Sequence, residues 1–110
     1  MARSEWDRKW WGALRHICMI EERPDFTSED ITELCGQPPD KNARHVGANT
    51  NAANAMGFTR EIVDRPAKAK RPNQNGTTIK RWEWTGKRDG WGEYIDPDTT
   101  KVGPEQMEMF

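Results

Sequence analysis

The hydrophobic period of this chain changes at Gly57. Before it, apolar residues recur every three or four positions; after it, they alternate. Side chains three or four apart share one helix face, whereas alternate side chains share one strand face. The chain is therefore expected to build helices first and strands second. That order fits an α+β domain.

Punctuation divides the helical part in three. Trp6, Trp10, Ala13, Ile17 and Ile20 predict one apolar face on a helix from Ser4 to about Glu22. Pro24 then stops it. Trp11 and Met19 fall near the opposite side, to be packed by the tail or a partner, or left exposed. In "FTSEDITELCG", Thr27 is the expected N-cap and Asp30 takes the capping-box position. Gly36 is a fitting stop. The prolines of "QPPDK" exclude helix up to Pro39. Asp40 then caps a third helix from Lys41 to Met56, closed by Gly57.

"FTREIVDR" (58–65) and "TTIKRWEWT" (77–85) are rich in β-branched and aromatic residues and read as paired strands. Thr78, Lys80, Trp82 and Trp84 alternate onto one side, which places both tryptophans on the core. Between them, "PAKAKRPNQNG" (66–76) reads as a long basic loop ending in an Asn-Gly turn signal. From Gly86 the periodicity is lost, and residues 89–110 read as an acidic tail docked through Trp91 and Tyr94. One domain is expected over residues 1–88, with six tryptophans supplying much of a small core.

The net charge of −1 conceals a segregation of sign. Residues 1–39 carry five basic and eight acidic side chains, and residues 89–110 carry one and six. Residues 40–88 carry eleven basic and four acidic, a balance of +7. A basic segment between acidic flanks is expected to meet a polyanion.

The third helix sharpens that expectation. "KNARHVGANTNAANAMG" contains no carboxylate, although asparagine is a poor helix former. A helix in the DNA major groove must offer donors and acceptors to base edges without repelling phosphates. On a helical wheel, Ala43, Val46, Gly47, Thr50, Ala53 and Gly57 share the expected inner face. Lys41, Arg44, His45, Ala48, Asn49 and Ala52 spread over the outer one. Arg44, His45 and Asn49 are the expected base-reading residues. Lys41, Asn51, Arg65, Lys68, Lys70, Arg71, Lys80 and Arg81 are expected on the DNA backbone.

The order of three helices and a hairpin with a basic loop resembles a winged helix-turn-helix domain. The likeness covers about residues 4–85 and is to small winged-helix proteins of bacterial viruses and their hosts. The "QPPDK" turn is longer than the roughly three- or four-residue turn of simple helix-turn-helix proteins. The resemblance implies sequence-specific binding of double-stranded DNA, the third helix in the major groove and the hairpin as a wing. Transcriptional regulation, or assistance in recombination or replication, would follow. A homodimer would suit a palindromic site. The alternative is a winged-helix module that binds and modulates a host protein.

Catalysis is not expected: neither a Gly-rich phosphate loop nor a Ser-His-Asp pattern occurs. Cys18, Cys35, His16 and His45 lack zinc-ligand spacing, so neither metal nor other cofactor is anticipated, and both thiols are expected reduced and buried. His16 is expected at the surface or its boundary. "MARSEWDRKW" lacks the apolar stretch of a signal peptide, and no run is apolar enough to span a bilayer. A cytoplasmic location is expected, without membrane contact.

Overall fold

The computed structural model describes residues 3–38, 44–68 and 78–97. Among them are three α-helices and a small amount of antiparallel sheet, an α+β arrangement.

Helix α1 spans Glu5–Arg15 and starts where the Ser4 hydroxyl accepts from the Asp7 N–H at 3.1 Å. It does not continue as an α-helix to Glu22. Residues His16–Ile20 form a π-helical turn, closed by Glu21 N–H donating to the His16 carbonyl at 2.9 Å. The wider turn shifts the angular phase of everything after it. Ile17 and Cys18 stay buried, but Ile20 swings outward to 60% exposure, off the face the regular period assigned to it.

Helix α2, Ser28–Cys35, has the expected capping box: the Thr27 N–H donates to Asp30 Oδ2 at 2.8 Å, and the Asp30 N–H donates to Thr27 Oγ1. Arg23 adds an ion pair to Asp30 at 3.4 Å. Gly36, at φ +87°, terminates the helix in a conformation that disfavours other residues. Helix α3 spans Arg44–Ala55. Its expected first turn, with Asp40 and Lys41, lies outside the described residues.

Strand β1 (Thr59–Glu61) pairs antiparallel with β4 (Trp82–Trp84), Arg60 opposite Glu83. Strand β2 (Ala67–Lys68) pairs with β3 (Thr78–Ile79) farther along the same hairpin. The expected long loop is thus already paired at Ala67 and Lys68; residues 69–77 lie outside the described part. At the break between the two ladders, Arg81 donates to Asp25 Oδ1 and to the Arg65 carbonyl, both at 2.8 Å. Phe26 exchanges backbone hydrogen bonds with Trp82, which ties the hairpin to the start of α2.

The core joins Trp10, Leu14, Ile17, Phe26, Ile31, Ala53, Phe58 and Trp82. Trp84 is only half-buried, and its indole N–H donates to the Lys87 carbonyl at 2.9 Å. Trp11 is 2% exposed although the helical period places it near the side opposite the apolar face. Its cover is the segment after Asp89. Trp91 stacks on Phe58 at 4.0 Å and meets Trp11 edge to face. The Ile95 N–H donates to the Arg8 carbonyl, and Arg3 donates to the carbonyls of Trp91 and Glu93. Residues 89–97, read as tail, are therefore a wall of the domain; residues 98–110 are outside the described part. Tyr94 lies at the surface under the Arg15 guanidinium. No helix among the described residues is long and apolar enough to cross a membrane.

Candidate nucleic-acid interface

Helix α3 carries twelve residues and not one carboxylate. Its exposed positions are Arg44, Gly47, Ala48, Asn51 and Ala55, a single stripe at helical spacing. The stripe differs from the one the helical wheel assigned. Gly47, placed inward, is exposed, with open space where a Cβ would stand. Asn49, placed outward, is 9% exposed.

The reason is a polar contact between helices. Asp7 sits in the first turn of α1 and presents Oδ1 to α3. Asn49 Nδ2 donates to it at 2.9 Å, and His45 Nδ1 lies 3.3 Å from it. Trp6 meets the His45 ring edge to face at 6.0 Å. Burial of the carboxylate opposes its charge, but hydrogen bonds from Asn49, Ser4 and His45 and the His45 charge outweigh that and leave Asp7 below the ordinary value. Asn49 is thus buried on Asp7, and His45 is half-buried beside it. Asn51, expected on the DNA backbone, stands in the exposed stripe.

Beside that stripe runs a groove of about 350 Å³ between α3 and the outer part of the hairpin. Ser28, Thr50, Asn51, Thr78 and Lys80 give it a polar lining, and Trp82 forms part of its apolar floor. The Thr50 hydroxyl is turned back onto the Val46 carbonyl at 2.7 Å. A shallower hollow of about 280 Å³ opens at Arg44, His45 and Ala48.

Of the hairpin cations, Arg65, Lys68 and Lys80 are exposed. Lys80 stands 4.0 Å from Glu61, a loose surface pair that a stronger anion can displace. Arg81 is spent internally, on Asp25 and Arg65. Lys41, Lys70 and Arg71 lie outside the described residues. The structure brings Asn51 and Lys80 around one concavity, places Arg44 at the neighbouring hollow on the same helix and Lys68 on the same hairpin, and pairs Asn49 with Asp7 and Arg81 with Asp25. Gly47, Ser28 and Thr78 were missed in sequence. Their place depends on how α3 meets the hairpin, which no local pattern encodes.

Burial pushes the Cys18 thiol up to about 12 and the Cys35 thiol up to about 11, so neither is a ready nucleophile. Among the described residues, no three His, Cys, Asp or Glu side chains gather as a metal site.

No protein-family model, curated protein or solved structure matches this chain.

Proposed function

We propose that this protein binds double-stranded DNA as a winged helix-turn-helix protein, with α3 in the major groove and the β2–β3 arm along the phosphate backbone. The observation that carries this is the α3 surface: an acid-free stripe, low in side-chain height at Gly47, Ala48 and Ala55, that borders a groove walled on its far side by Thr78 and Lys80. Low side chains let a helix approach base edges, and flanking cations meet the phosphates. Arg44 and Asn51 are the base-reading candidates, and Lys68 and Lys80 the backbone contacts. Lys41, Arg65, Lys70 and Arg71 extend the basic surface by sequence. Regulation of transcription, or help in viral recombination or replication, is the role such binding serves.

Duplex binding followed by fluorescence anisotropy across a salt series tests this. If five cations neutralise phosphates, log affinity falls against log salt with a slope of about −4.5. Absence of binding at low salt overturns the reading.

A protein-binding module is the second reading, supported by Val63 at 76% and Ile20 at 60% exposure. Stoichiometric recovery of one host protein after nuclease treatment favours it.

A further inference from the structure

The exposed stripe of α3 holds two side chains that can each address a base with a pair of hydrogen bonds, Arg44 and Asn51. Arginine matches the O6 and N7 acceptors of guanine; the asparagine amide matches N6 and N7 of adenine. They are seven residues apart, close to two full turns, so they project from the same face about 10.5 Å apart along the axis. Stacked base pairs rise about 3.4 Å each. A helix lying along the major groove would therefore bring the two side chains to base pairs about three steps apart.

The residues between them are compatible with that approach. Gly47 has no side chain and open space above it. Ala48 offers one exposed methyl, suited to the methyl group of a thymine. The remaining amide and imidazole of the first two turns, Asn49 and His45, are engaged with Asp7.

We propose that α3 reads a G·C pair with Arg44 and an A·T pair with Asn51, about three base pairs apart within one half-site. This rests on the DNA-binding reading above and adds the bases.

Selection of bound duplexes from a random library, with the unaltered protein, Arg44→Ala and Asn51→Ala, tests it. Both positions are exposed, and thermal melting verifies that each variant is folded. The expected motif contains a guanine and an adenine about three positions apart. Arg44→Ala flattens the preference at the guanine alone, and Asn51→Ala at the adenine alone, each by roughly tenfold. The proposal is overturned, with DNA binding intact, by any of three results. These are binding without an enriched motif, a motif that neither variant changes, and altered positions that coincide or lie beyond half a helical turn, about five base pairs. Failure of the unaltered protein to retain any duplex at low salt overturns the proposal and the DNA-binding reading together.

Discussion

The side-chain amide of Asn49 donates to the carboxylate of Asp7 across 2.9 Å, joining α3 to α1 at residues 42 positions apart. This bond turns the asparagine inward and leaves the Arg44–Asn51 stripe facing out. Asp7→Ala strands the buried amide, and is expected to destabilise the fold by about 1–3 kcal/mol in urea denaturation.

Acid provides a separate test of the same carboxylate. Its pKa is lower folded than its ordinary 3.8, so the folded state favours the ionised form. The resulting stability is present at pH values above 3.8. It is lost as the pH falls through the lower, folded value. Asp7→Asn should flatten that part of the stability profile, measured by denaturation between pH 2 and about 5. An unchanged acid limb would assign it to other carboxylates.

Gly12 is fixed by a neighbour far along the chain. A Cβ there would stand 1.8 Å from the Ile95 carbonyl oxygen. Gly12→Ala must push residues 91–96 off α1. It is expected to cost about 1–3 kcal/mol or more and to shift tryptophan emission to the red as Trp11 and Trp91 meet water.

Gly47 gives the opposite outcome. Nothing lies within 4 Å of an added Cβ, and the residue is inside a helix. Gly47→Ala should raise stability by up to about 1 kcal/mol through helix propensity. Gly47→Leu should keep the fold and weaken duplex binding, because its bulk stands in the path of the bases. Equal duplex binding by Gly47→Leu would remove this face of α3 from the interface.

The hairpin cations separate into two kinds. Lys68→Ala and Lys80→Ala should each reduce the steepness of the salt dependence by about 0.9 and leave the melting temperature nearly unchanged. Arg81→Ala should lower stability by about 1 kcal/mol, since it breaks the contacts to Asp25 and Arg65.

Local chemistry was readable wherever it is local. Thr27, Asp30 and Gly36 marked the ends of α2 because caps depend on residues three or four apart. The change of period at Gly57 separated helices from strands. Ile20 was misplaced because a π-helical turn alters phase without any Pro or Gly to announce it. Asn49 and Asn51 are the same residue two positions apart in one acid-free helix. Two positions apart they face opposite sides of the helix, and the packing of α3 on α1, where Asp7 meets Asn49, makes one internal and the other exposed. Trp11 left three options open, and the burial of Trp91 against it selects the tail.

The bond from Arg3 to the Trp91 carbonyl spans 88 positions of sequence. During synthesis at roughly 5–20 residues per second, Arg3 therefore waits on the order of 4–18 s for its acceptor to be made. Until then Trp11 lacks the cover that Trp91 adds to that of Phe58 and Arg3, and the nascent helices expose more aromatic surface that a chaperone can recognise. Cellular yield of this protein is thus tied to the moment when residues 91–95 become free to close over α1.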